Sequence, residues 1–157
     1  AHGNEPSHHI AYMYSFVGQP WKTQERVRYI LDSMYHDRPD GYAGNEDCGQ
    51  MSAWAIWSMI GFYPANPASG EYVFGSPMFD EVTIKLPSGR QMIIKAKNNT
   101  RNHPYIQSAR LNGKAYTRTY IDHTTLLKGG TLEFVMGDKP NKNWGVDPKD
   151  WPSSASD

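Results

Sequence analysis

Two polar clusters in this chain combine residue types at a spacing that could do chemistry. One is Gly3-Asn4-Glu5-Pro6-Ser7-His8-His9; the other is Gly44-Asn45-Glu46-Asp47-Cys48-Gly49-Gln50. Each leads into a stretch of helical periodicity. A helix start exposes unpaired backbone N–H groups and the positive end of the helix dipole, which keeps Glu46 and Asp47 ionised. An ionised carboxylate suits a general base or a hard-cation ligand better than a general acid. The simpler alternative is capping, with Asn45 or Asp47 as N-cap and Glu46 in the first turn. Glu5, stiffened by Pro6, is a second oxygen donor. Two acidic loops converging from separate helix starts, with Asn amides and backbone carbonyls, are a usual way to build an oxygen-ligated Ca²⁺ site.

Other reactive types are weaker. His8 and His9 are adjacent, so on a helix they project about 100° apart and do not chelate one metal easily. One of them suits hydrogen bonding to a substrate, or an interior position. The single cysteine, Cys48, excludes an internal disulfide and a Cys-based zinc site, and it reads as a small buried residue before a nucleophile. Trp21, Trp54 and Trp57 could form a platform for a sugar ring, although Trp54 and Trp57, three apart in an apolar stretch, read better as core. Asn98-Asn99-Thr100 matches the N-glycosylation sequon, a short and unspecific pattern.

The elements that must position these residues follow from periodicity. Val27, Ile30, Leu31, Met34 and Tyr35 predict an amphipathic helix over 20–36, opened by Pro20 and closed by Arg38-Pro39-Asp40-Gly41. A shorter helix covers 8–16 and stops at Gly18. A third, over 47–60, is apolar nearly all round and so needs neighbours on every side. After Pro67 the period becomes two. Val82, Ile84 and Leu86 lead through Pro87-Ser88-Gly89-Arg90 into 91–96 as a hairpin, and strands 105–111 and 114–121 flank Asn112-Gly113, the strongest short hairpin signal. A further strand covers 131–136. The tail has no period and is expected to be loosely ordered. Helices first and strands second make the chain α+β, divided as 1–63 helical, 64–138 antiparallel and β-rich, and 139–157 irregular tail.

Composition narrows the function classes. Sixteen Lys+Arg balance sixteen Asp+Glu, which argues against nucleic acid or an anionic membrane as partner. No window holds the ~18 apolar residues of a spanning helix. Phosphate loops, HExxH and GxSxG are all missing. Five Trp, ten Tyr and five Phe on a polar chain suit sugar stacking. The length fits one domain, but a helix apolar on every face needs more helical partners than 157 residues supply. The helical half is therefore expected to be a piece of something larger.

The stretches GNEPSHHIAYMYSFVGQPWKTQERVR, GYAGNEDCGQMSAWAIWSMIGFYP, YVFGSPMFDEVTIKLPSGRQMIIKA and NHPYIQSARLNGK resemble the C-terminal part of glycoside hydrolase family 92, in unbroken order over residues 3–145. The resemblance implies a calcium-dependent, inverting exo-α-mannosidase, many members being assigned as α-1,2-mannosidases. It implies that the N-terminal helices belong to an (α/α)6 barrel, followed by an antiparallel β-sheet or sandwich layer. By motif it implies Asp47 as general base, with Glu46 and Asn45 orienting water or metal. Asn4 and Glu5 would serve the Ca²⁺ and mannose site, and His8 and Trp21 would line the substrate. Family members are several times longer, and their general acid, a Glu, lies upstream of the first cluster. The expectation is thus a C-terminal part, inactive alone, whose partners are a mannose-containing glycan and the missing N-terminal part of the same polypeptide. The resemblance implies export by a bacterium to the periplasm, cell surface or medium. Two other readings stay open: a carbohydrate-binding module in the strand-rich half, or a structural domain whose carboxylates only cap helices.

Overall fold

The two sequence periodicities become two adjoining hydrophobic cores in the computed structural model, which describes residues 2–154. Helix α1, Pro20–Met34, begins with proline at a position where a missing N–H costs nothing, and buries Val27, Ile30 and Leu31 on one face. Helix α2, Gln50–Ile60, buries Met51, Trp54, Ala55 and Ser58. Its opposite side is open, with Ile56 59% exposed, so the neighbours its all-round apolar character calls for are not among the described residues.

The segment expected as a short helix over 8–16 is helical but wound more tightly: a 3-10 turn at Glu5–Ser7 and a 3-10 helix at Ile10–Val17, closed by Gly18 at φ 70°. Residues three apart eclipse in such a helix. Tyr12 and Ser15 therefore both point into the helical core, where Tyr12 Oη meets Ser58 Oγ at 2.8 Å and Ser15 Oγ donates to Thr23 Oγ1 at 3.1 Å.

Eight strands follow among the described residues: β1 Phe62–Tyr63, β2 Glu71–Phe74, β3 Glu81–Lys85, β4 Gln91–Lys97, β5 Tyr105–Leu111, β6 Lys114–Tyr116, β7 Tyr120–Asp122 and β8 Gly130–Gly137. Strands β1-β2-β7 form one sheet and β3-β4-β8-β5-β6 the other. The molecule is α+β, with a sandwich of two sheets under the helices. Strand β2 faces both ways: Val73 belongs to the helical core and Phe74 to the inter-sheet core, where it meets Phe134 edge-on at 5.0 Å. The Asn112-Gly113 turn joins β5 to β6 with φ 50° and 78°, the left-handed pair that this dipeptide favours. One pairing departs from the antiparallel expectation. Strands β4 and β8 run parallel from Met92↔Gly130 to Lys97↔Val135, so the larger sheet is mixed. The long excursion through β5, β6, β7 and helix α3, His123–Leu127, provides the crossover that parallel pairing needs. Helix α3 starts at Asp122, whose Oδ1 accepts the Thr125 N–H at 2.7 Å.

The expected single strand over 114–121 is broken, and the tail expected to be loose is what breaks it. Thr119 donates its N–H to Asp150 O at 2.9 Å, Thr117 Oγ1 donates to Asp150 Oδ1 at 2.8 Å, and Trp144 Nε1 donates to Tyr116 O at 3.0 Å. The chain between β6 and β7 therefore pairs with the tail and passes from one sheet to the other. Trp144 and Asp150 are buried, and Ser153 gives both its N–H and its hydroxyl to Glu71, at 2.8 and 2.7 Å. Residues 155–157 of the expected tail, like residue 1, lie outside the described residues.

Buried polar groups bolt the two layers together. Arg28 on α1, only 5% exposed, donates to Pro77 O at 2.6 Å and Thr100 O at 3.1 Å. Burial lowers its pKa, opposed by the Asp32 carboxylate. Gln24 Oε1 accepts the Ile106 N–H of β5 at 3.0 Å. These bonds fix the helices, and with them the acidic loops, on the sandwich.

Candidate functional site

The two loops singled out by residue type lie against each other. Both contain the tripeptide Gly-Asn-Glu, at 3–5 and 44–46. The glycines let the backbones touch: a Cβ at Gly44 would strike the Gly3 carbonyl, and one at Gly3 would lie 2.6 Å from Ala43 O. This approach carries the Glu5 carboxyl beside that of Asp47. A hydrogen bond with Glu5, together with the negative charge of Glu5, raises the Asp47 pKa. The Oε1 atom of Glu5 is buried and has no hydrogen-bond partner among the described residues. Asn4, Asn45 and Asp47 are exposed.

Helix α2 does not start at Asp47, as periodicity suggests. Asp47, Cys48 and Gly49 have φ of 41°, 59° and 87°, and Gly49 is the N-cap. Left-handed backbone at two successive non-glycine residues cannot belong to a right-handed helix. Neither Asn45 nor Asp47 caps. Instead Glu46 reaches forward, its Oε1 accepting the Ser52 N–H at 3.1 Å. The same turn leaves Cys48 exposed, which corrects the buried reading.

His8 is 2% exposed and both ring nitrogens are engaged. Nε2 donates to the His2 carbonyl at 3.0 Å, while the Gln50 amide donates to Nδ1 at 3.1 Å. Burial lowers the His8 pKa against the opposing pull of the His2 carbonyl and Glu5, and keeps the ring neutral. In this chain His8 is thus a support for the first loop, with no face open to a substrate. His2 lies on it at 4.7 Å and meets Trp54 edge-on at 4.1 Å, and Trp54 Nε1 donates to the His8 carbonyl at 2.9 Å.

Trp21 is not brought to the pair. The Tyr35 ring, just past the C-terminal end of α1, stacks on Trp54 at 5.8 Å, whereas Trp21 sits at the opposite end of α1, roughly 20 Å along the axis. There Lys142 of the tail lies over its ring at 5.9 Å. Trp57 stacks on Tyr72 at 5.2 Å in the sheet core, so the tryptophans form no common platform. In the sequon, the Asn98 amide already donates to Met136 O at 3.1 Å.

Gly3, Gly44 and Gln50 lie within the two clusters, where reading by reactive type gives them no role of their own. The repeated Gly-Asn-Glu was the available signal for the glycines. Gln50, which also donates to Tyr63 Oη at 3.1 Å, left none. An open cleft of about 770 Å³, lined by residues 36–42 and Gly44, borders the second loop. Among the described residues no three His, Cys, Asp or Glu side chains come together as a metal site. The chain offers a carboxylate pair with Asn amides nearby, a donor set of oxygen that suits a hard cation.

Gly44→Ala is expected to destabilise the chain by about 2 kcal/mol, since backbone meets backbone and neither side can yield. Gly89→Ala, also at positive φ but with nothing within 4 Å of the added methyl, should cost about 1 kcal/mol. Urea unfolding of the two variants measures the difference.

The sequence model of the glycosyl hydrolase family 92 catalytic domain matches residues 1–138. A secreted glycosidase of Arthroderma benhamiae is 37% identical over 155 residues, which is 97% of this chain and 20% of that protein. Among solved structures, a family 92 α-mannosidase of Bacteroides thetaiotaomicron superposes with a TM-score of 0.94 at 40% identity, over 98% of this chain and 21% of that one. A family 92 inverting mannosidase of the same bacterium gives 0.95 at 45% identity, over all of this chain and 21% of that one. The chain therefore spans about a fifth of the length of the relatives it matches.

Proposed function

Since the chain belongs to glycosyl hydrolase family 92, we propose that it supplies one side of the active site of a larger inverting exo-α-mannosidase acting on terminal mannose of glycans. The observation that carries this reading is the approach of the Glu5 and Asp47 loops, whose backbones touch at Gly3 and Gly44 and leave the Asp47 carboxyl exposed. Asp47 takes a proton from a water that attacks the anomeric carbon, while a carboxylic acid on the opposite face protonates the departing glycosidic oxygen. Inversion needs those two groups roughly 6.5–9.5 Å apart, with room for the water between them. Asp47 is exposed, so its carboxylate is open to such a water. Asn45, exposed beside it, orients the water.

Asn4 and Glu5 are the residues that would hold calcium. Their oxygen chemistry fits a hard cation, as does the buried Glu5 Oε1, which has no hydrogen-bond partner among the described residues. A calcium ion held by Asn4 and Glu5 would supply positive charge to polarise and orient sugar hydroxyls beside Asp47. The remaining ligands and the general acid belong to parts of the parent enzyme beyond this chain, consistent with the fifth of the relatives that it spans. The zero formal charge agrees with a neutral sugar substrate, which needs no electrostatic steering. Action outside the cytoplasm, in periplasm, at the cell surface or in the medium, is supported by the secreted relative, and no described helix is long and apolar enough to cross a membrane.

The test is hydrolysis of an aryl α-mannoside. The intact parent should turn it over, lose activity in EDTA and recover with added Ca²⁺, and the 157-residue chain alone should give none. Full activity of the parent in EDTA would contradict the calcium assignment. Turnover by the chain alone would contradict the division of the site.

A further inference from the structure

We propose that Glu46 is a positioning residue: by bonding the Ser52 N–H it locks the left-handed Asp47-Cys48-Gly49 turn that presents the Asp47 carboxyl to the loop of Glu5. The reactive-type reading groups Glu46 with Asp47 as a group acting on water or metal. Its geometry separates the two. Asp47 is exposed, while Glu46 is half-buried and its Oε1 is already committed to Ser52 at 3.1 Å.

The turn needs such a lock. Two successive non-glycine residues at φ 41° and 59° persist only where their surroundings over-determine them. Two backbone bonds close the turn, Gln50 N–H to Asp47 O at 3.2 Å and Met51 N–H to Glu46 O at 3.3 Å, and both are long. The Glu46 carboxylate adds the one closure made by a side chain of the turn's own flank. Its oxygen lies 3.8 Å from where a Cβ on Gly49 would stand, so it lies against the turn itself. Glu46 thus brackets the turn twice, through its carbonyl and through its carboxylate. A bond from a carboxylate to an N–H at the start of an 11-residue helix is favourable in sign as well as geometry. Since only Oε1 of residue 46 is used, a glutamine there can make the same bond without the charge.

The inference rests on the reading of Asp47 as general base, and two measurements keep them apart. Amide hydrogen exchange over 47–52 in the intact enzyme reports the turn itself. Glu46→Ala should speed exchange at Ser52 and its neighbours by roughly tenfold or more, and Glu46→Gln should leave it near wild type. Aryl α-mannoside kinetics report the consequence. Glu46→Ala should lower kcat by about tenfold to a hundredfold with KM nearly constant, as expected of a base displaced by a fraction of an ångström to an ångström, and Glu46→Gln should restore most of it. Unchanged exchange in Glu46→Ala would overturn the proposal. So would Glu46→Gln as inactive as Glu46→Ala with the turn still protected, because the charge, and not the bond, would then be what matters. If Asp47→Asn keeps full turnover, the base assignment falls, while exchange still decides the role of Glu46 in the turn.

Discussion

Asp47→Asn in the intact enzyme is expected to lower kcat on an aryl α-mannoside by about a thousandfold or more while KM changes little. The amide keeps the size and one oxygen but cannot take a proton, and a positioned general base contributes roughly 10²–10⁴-fold. The fold should not suffer. Asp47 is exposed and belongs to neither hydrophobic core, so the unfolding midpoint should stay nearly the same. Loss of turnover without loss of stability separates a chemical role from the capping role that the sequence alone leaves open. Steady-state kinetics and a urea titration of the same preparation provide both numbers.

Trp54→Ala is expected to do the opposite, costing about 3–5 kcal/mol of stability, the usual range for emptying a fully buried aromatic position. Trp54 has no exposed surface, and its ring packs against His2, Tyr12 and Tyr35. Its Nε1 also holds the His8 carbonyl, so the substitution opens a cavity and leaves a buried acceptor unpaired under the first acidic loop. Trp54→Phe retains most of the packing and loses the bond, and should cost about 1–3 kcal/mol. Urea midpoints at constant m-value measure both, and a loss below about 1 kcal/mol for the alanine variant would mean that the helical core tolerates collapse at this point.

Much of this architecture is legible in the sequence because its signals are local. Spacing of Val27, Ile30 and Leu31 places α1, and Asn112-Gly113 places the β5–β6 hairpin with the backbone angles that the dipeptide prefers. In the strand-rich half, what misleads is contact with distant chain. The break between β6 and β7 is made by Asp150, about thirty residues on, and the parallel β4–β8 pair follows from an excursion that no period records. In the two acidic loops, residue type singles out Glu5 and Asp47, and a paired Gly-Asn-Glu and a following apolar run are visible in one dimension, while the meeting of the loops is seen only in the fold. The left-handed backbone at Asp47 and Cys48 is not, since neither residue type announces it and periodicity extends the helix straight through. His8 and Trp21 show the limit of carrying a role by motif. One is sealed between His2 and Gln50, and the other is a helix length away under the tail.

Following the first seconds of aryl α-mannoside hydrolysis by the intact, calcium-loaded parent with proton NMR tests the central account most directly. Attack by water activated at Asp47, opposite the leaving group, predicts that β-mannose appears first and that the α anomer grows in only by mutarotation. Appearance of α-mannose first, or no release of mannose at all, would contradict it.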